Sequence, residues 1–192
     1  MEKRLLAGLQ NSNQAKEDFY KCSKNEICRL ATAMIDVLKN GNKIIIFGNG
    51  GSAADAQHMA AEFVNRFLID RPPLAALALT TDSSILTSIG NDFSFDDIFV
   101  KQVIALGKSG DIALGISTSG NSANVIKAII QARDMGLRTA SLTGGSGGKL
   151  LSLTDFSLNV PTTFTPHIQE THLWVEHLLC QLVDEEMFGG DS

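Results

Sequence analysis

Apolar residues along this chain follow two rhythms. Over residues 2–38 they recur three and four apart: Leu5, Leu6 and Leu9 open a stripe, and Ile27, Leu30, Ala31, Met34 and Leu38 continue it. That spacing lines one face of a helix, and Asn40-Gly41-Asn42 supplies the stop. Short apolar runs follow. KIIIFG (43–48), LAALALT (74–80, after Pro72-Pro73), DIALGIS (111–117), RTASLT (138–143) and FSLNV (156–160) read as five strands. Helical patterns separate them, over 52–67, 95–106 and 121–135. In the third, Val125, Ile126, Ile129 and Ile130 make one stripe that ends at Gly136. A last amphipathic helix is expected over 168–187.

Strands that are apolar throughout and alternate with helices predict a parallel sheet covered on both faces. The expected fold is a single doubly wound α/β domain. Residues 1–40 form an N-terminal helical extension, and 41–192 form the core with its C-terminal helix. In such sheets ligands bind beyond the carboxyl ends of the strands. Two polar, glycine-containing loops stand at such ends, 49–52 after the first strand and 117–122 after the third.

The second loop runs Ser117-Thr118-Ser119-Gly120-Asn121-Ser122 straight into a helix. A helix N-terminus has unpaired N–H groups and partial positive charge. Small hydroxyl side chains add donors without bulk. The pattern suits a phosphate monoester, and it is no Walker loop, since GK[ST] is missing. A plain Ser/Asn helix cap is the simpler alternative, but four hydroxyls in six residues exceed what capping needs.

The first loop, FGNGGSAAD, partly resembles a dinucleotide fingerprint. Gly48 and Gly50 match, Ala53 holds the third glycine position, and Asp82 is a loose candidate for a ribose contact. Ser52 and Asp55 have the spacing of a capping-box variant, which starts the helix at Ala53. Along one face of that helix lie His58, Glu62 and Arg66 at i, i+4 and i+8. A histidine and a carboxylate so spaced can share a metal ion. They can equally be a solvated face with a Glu–Arg pair.

The last helix carries Gln169, His172, Glu176 and His177. At 100° per residue, Glu176 lies about 20° from Gln169, His172 about 60° and His177 about 80°. Periodicity does not choose between a His172/Glu176 stripe and a Gln169/His177 pair. All four also fit the wet side of a helix packed through Leu173, Leu178 and Leu182.

Bulk properties narrow the partners. A 44% hydrophobic content supports a sizeable core, and 19% charged residues are too few for a disordered chain. The net charge of −5, with no basic patch, argues against nucleic acid. It does not argue against a small phosphorylated ligand. Cys22, Cys28 and Cys180 fit neither a zinc motif nor a disulfide framework, which suits reduced thiols in the cytoplasm. No apolar run approaches the ~18 residues of a membrane span, and MEKRLLAGLQNSNQ lacks a signal-peptide core. A cytoplasmic protein with no membrane partner is expected.

Several longer stretches, in order from residue 41 onward, resemble the phosphoheptose isomerases of the sugar isomerase (SIS) family. They are GNGGSAADAQHMAAEF (48–63) with Arg66, IGNDFSFDDIF (89–99), GISTSGNSANVIKA (115–128), LTGGSGGKL (142–150) and IQETHLWVEH (168–177). The resemblance implies a flavodoxin-like five-stranded sheet and a homotetramer with active sites between subunits. It implies interconversion of sedoheptulose 7-phosphate and a glycero-manno-heptose 7-phosphate, towards bacterial surface heptose. It implies zinc on His58, Glu62, Gln169 and His177. Substrate contacts would fall on Asn49, Gly50, Gly51, Ser52, Glu62, Arg66, Asn91, Asp92, Ser117, Thr118, Ser119, Ser122 and Gln169. His172 and Glu176 would then be structural.

The chain departs from this pattern at Pro166, where some members carry an acid three residues before the glutamine. Aldose–ketose isomerisation needs a base for a carbon-bound proton and an acid near the oxygens. Glu62 and His177 are the candidates, in either assignment. Competing readings are a non-catalytic regulator that binds the replication initiator, an isomerase of another phosphosugar, and a nucleotide-dependent dehydrogenase. The family's replication regulator lacks the acid and the histidine at the positions of Glu62 and His177, and this chain keeps both.

Overall fold

The computed structural model describes residues 1–190. Five parallel strands form one sheet in the order β2-β1-β3-β4-β5, with β1 at Ile44–Gly48, β2 at Ala76–Ala78, β3 at Ile112–Ser117, β4 at Arg138–Gly144 and β5 at Phe156–Val160. Registers such as Ile45↔Ala113 and Ala113↔Thr139 keep the strands level. The doubly wound α/β expectation therefore holds.

The unbroken apolar runs follow from having two cores. Successive strand side chains point to opposite faces. Ile44 and Ile46 pack with Phe19, Leu30 and Met34 of α1 (Glu2–Lys39), with Met59 and Phe63 of α2 (Gly51–Val64), and with Val175 and Leu179 of α6 (Thr165–Phe188). Ile45 and Phe47 pack on the other face. Their partners are Val103 of α4 (Val100–Leu106) and Val125 and Ile129 of α5 (Ala123–Asp134), with Phe99 between the helices. Each β1 residue is thus buried whichever way it points.

The edge beyond β1 was less legible. The run 74–80 yields a strand of three residues, because Pro72 and Pro73 precede it and it pairs on one side only. A helix, α3 (Ser83–Asp92), then appears where none was predicted. It has no fully buried residue to mark it, and it starts because the Asp82 side chain accepts the Ile85 N–H at 2.9 Å. Asp82 is therefore a cap, which removes the loose candidate for a ribose contact. The segment 95–106 divides into a single 3₁₀ turn at Phe95–Asp97 and α4.

Strand order reverses between β1 and β3, so the crevice of the sheet opens at their carboxyl ends. Among the described residues no helix is long and apolar enough to cross a membrane. Cys22 and Cys28 are exposed and Cys180 is buried, none of them bridged. Burial pushes the Cys180 thiol far above its ordinary range.

Candidate active site

Both predicted loops meet at this crevice. Gly50 is the N-cap of α2, which begins at Gly51 without any side-chain cap. The expected Ser52/Asp55 capping box and a start at Ala53 are therefore not formed; the Asn49 carbonyl takes the Ser52 N–H at 3.0 Å instead. The Asn49 side chain exchanges two hydrogen bonds with Asn124 in the first turn of α5, each 2.9 Å. Asn124 is 2% exposed. It ties the glycine turn to the serine loop, a role that sequence reasoning missed. The signal was an amide beside the apolar stripe of α5.

The serine loop is closed on itself. Ser117 Oγ and Ser122 Oγ are 2.9 Å apart, and the Gly120 N–H donates to the Ser117 carbonyl at 2.9 Å. Gly120 has φ 63°, and a Cβ there would collide with the Gly147 carbonyl, so only glycine fits. The Leu150 N–H donates to the Gly120 carbonyl at 3.1 Å, bracing the loop from the turn after β4. Ser122 precedes α5 yet takes none of its N–H groups by its side chain. The hydroxyl-rich sequence is therefore not spent on a cap, and the positive end of α5 faces the crevice. A cavity of about 260 Å³ opens between Thr118 and Ser119 on one side and Ser146, Thr163 and Thr165 on the other. Thr163 and Thr165 went unnoticed in the sequence, although PTTFT after β5 is a visible hydroxyl cluster.

Beside these loops α2 packs on α6. His58 Nε2 and His177 Nε2 lie 2.7 Å apart, one ring donating to the other. Glu62 Oε1 is 3.7 Å from His58 Nε2. Phe67 stacks on His177, with centroids 5.5 Å apart and planes at 21°. Gln169 reaches back to the glycine turn, where a Cβ on Gly51 would stand 2.6 Å from its Nε2. The side chains of His58 and Glu62 keep 40% and 24% exposure, so a small ligand can reach them.

A model of the SIS domain matches residues 9–144, well over half of the chain. The chain belongs to the SIS-domain family. The phosphoheptose isomerase of Nitratidesulfovibrio vulgaris is 54% identical over 173 residues, 90% of this chain and 83% of that protein. That of Aneurinibacillus thermoaerophilus is 50% identical over 184 residues, 94% and 92% of the two chains. The structure of phosphoheptose isomerase from Neisseria gonorrhoeae superposes with a TM-score of 0.91 at 45% identity, covering 96% and 98%. This SIS domain falls among the isomerase members of its family.

Other sequence candidates stand at helix ends. Arg66 is exposed just beyond α2. Asn91 and Asp92 close α3, exposed, and bond to each other at 2.8 Å. Ten residues of helix carry them about 15 Å from its start.

The wet-side reading of α6 is corrected. His172 and Glu176 are fully buried, while Leu173 is 38% exposed. The helix is wrapped by α1, α2 and the sheet, leaving little of it wet. His172 Nε2 donates to the Thr143 carbonyl at 3.0 Å, and its Nδ1 has no protein partner. Burial holds its pKa down at about 4, so the ring is neutral at pH 7. Burial, and then the charge of Asp55, push the Glu176 carboxyl well above the usual range. Neither Glu176 oxygen finds a partner.

The donor set suits a borderline cation, with two imidazoles in contact and a carboxylate 3.7 Å from one of them, carried by α2 and α6. Among the described residues, no three histidine, cysteine or acidic side chains already surround one point. Two nitrogens on one tetrahedral zinc stand about 3.3 Å apart, given bonds of about 2.0–2.1 Å. The rings would part by roughly 0.6 Å from their 2.7 Å spacing, a small side-chain adjustment. The residues fit.

Proposed function

We propose that this SIS domain is an aldose–ketose isomerase that interconverts sedoheptulose 7-phosphate and D-glycero-D-manno-heptose 7-phosphate, in the cytoplasm, for bacterial surface heptose. The observation that carries this reading is the meeting of His58, Glu62 and His177 beside a hydroxyl-rich loop at the switch point of the sheet. The phosphoheptose isomerases it resembles at about half identity support a phosphorylated heptose as the substrate.

The serine loop and the α5 N-terminus hold the phosphate, through Ser117, Thr118, Ser119 and Ser122. Binding there, remote from the reacting carbons, fixes their position and so speeds the chemistry. One proton then moves between C1 and C2 and another between their oxygens. Glu62 and His177 divide these two transfers. His58, Glu62, Gln169 and His177 would hold zinc, which when bound polarises the sugar oxygens as a Lewis acid. Arg66, Asn91 and Asp92, exposed at the ends of α2 and α3, serve a neighbouring subunit's site in a homotetramer. Exposed Leu5, Leu6 and Leu9 on α1 give that tetramer an apolar contact.

Incubation with sedoheptulose 7-phosphate, with and without added Zn²⁺, tests the reading by NMR of the sugar. Appearance of the aldoheptose signal is expected, stronger with metal. No conversion by zinc-loaded protein would sink the substrate assignment. Full activity after exhaustive chelation, with no zinc in the protein, would remove the metal.

A further inference from the structure

Asp184 stands seven residues after His177, two turns on and nearly in line along α6. It pairs with Arg71, Oδ1 to Nε at 2.7 Å, and both side chains are 1% exposed. Asp184 Oδ2 also accepts the backbone N–H groups of Leu68 at 3.3 Å and Ile69 at 3.4 Å. The rest of the guanidinium turns to α2. Nη1 donates to the Phe63 carbonyl at 2.7 Å, and Nη2 to the Glu62 carbonyl at 3.0 Å. These are carbonyls that a helix end leaves unpaired.

Two fully buried charges are a poor device for stability alone, since well-packed apolar residues of the same volume often do as well. They do fix direction, because each hydrogen bond has a set length and angle. One carboxylate on α6 therefore holds, through Arg71, the backbone of Glu62. It also holds the turn that lays Phe67 on His177. We infer that Arg71 and Asp184 are positioning residues, a clamp that keeps Glu62 and His58 on α2 aligned with His177 on α6. This rests on reading those three as the working site.

The test compares the wild type with the double variant Arg71→Met/Asp184→Leu and with Asp184→Asn. The double variant removes both charges at similar volume and is expected to melt near the wild type. Its kcat on sedoheptulose 7-phosphate should fall at least about tenfold with KM little changed, the mark of lost alignment rather than lost binding. Affinity for Zn²⁺ alone, measured against a chromophoric chelator, should fall about 10–100-fold, as when groups that orient metal ligands are removed. In a metal-free crystal structure of the double variant, His58 and His177 should no longer be within hydrogen-bond distance. Rings that stay in contact, with kcat and Zn²⁺ affinity unchanged, overturn the clamp. A wild type without isomerase activity defeats the functional reading, while the ring separation still judges the clamp. Should the double variant not fold, Asp184→Asn keeps the shape and is judged by the same measurements.

Discussion

The serine loop is six consecutive residues, braced by their own neighbours: Ser117 against Ser122, the Gly120 N–H on the Ser117 carbonyl, and the Gly145–Leu150 turn behind. The histidine pair joins positions 119 residues apart on two helices that share no strand. One site is made by local chain geometry, the other by packing at a distance. A local site should tolerate the loss of one donor, because the others stay in place. An assembled site has few members, and each depends on how α2 meets α6.

The largest effect should therefore come from the assembled side. Glu62→Gln keeps size and hydrogen-bonding capacity but not the ability to take a proton. Solvent-deuterium incorporation at the substrate carbon should fall about 10²–10⁴-fold, the range ascribed to a positioned acid or base. Exchange at the wild-type rate would exclude Glu62 as the base and leave His177 as the candidate.

The same contrast explains what could be read from the chain. Ser117 to Ser122 was legible because loop, strand end and helix start are contiguous. The five strands were legible because β1 and β3 feed two cores and so are apolar without interruption. His58 and Glu62 alone were ambiguous at i, i+4, and only the distant match through 169–177 favoured them. Asn124 escaped notice because its partner Asn49 lies 75 residues away. Periodicity alone left His172 and Glu176 free to face water, because it gives relative angles but not which side is covered, and only the resemblance made them structural. Here the sheet and α2 close over that face: His172 donates to the Thr143 carbonyl of β4, and the charge of Asp55 on α2 acts on Glu176.

His172 links the two regions, since it rises from α6 and donates to the Thr143 carbonyl just before the turn that braces the serine loop. Its folded pKa is lowered from 6.5 to about 4. The folded state thus refuses a proton that the unfolded chain accepts. The resulting stability is complete above about pH 6.5 and is lost as pH falls from there towards 4. At about 1.4 kcal/mol per unit this amounts to about 3 kcal/mol. His172→Gln keeps a donor for Thr143 and cannot titrate, so urea unfolding should show that part of the acid slope gone. An identical slope in the variant would detach His172 from acid sensitivity.

The smallest change belongs to the local side. Ser119 is exposed, and its Oγ accepts only the Asn121 N–H, at 3.2 Å, leaving its own proton free for a ligand. Ser119→Ala removes that donor without disturbing the Ser117–Ser122 bond or the Gly120 turn. Affinity for the phosphorylated sugar should weaken by about 1–3 kcal/mol, read as KM or by calorimetry with a non-reacting phosphate. The melting temperature should stay put, because no helix N–H was capped by this hydroxyl. A stability loss without any loss of phosphate affinity would mean that the loop's hydroxyls serve the turn rather than a ligand. The contrast between a local binding loop and an assembled reacting centre would then lose its first half.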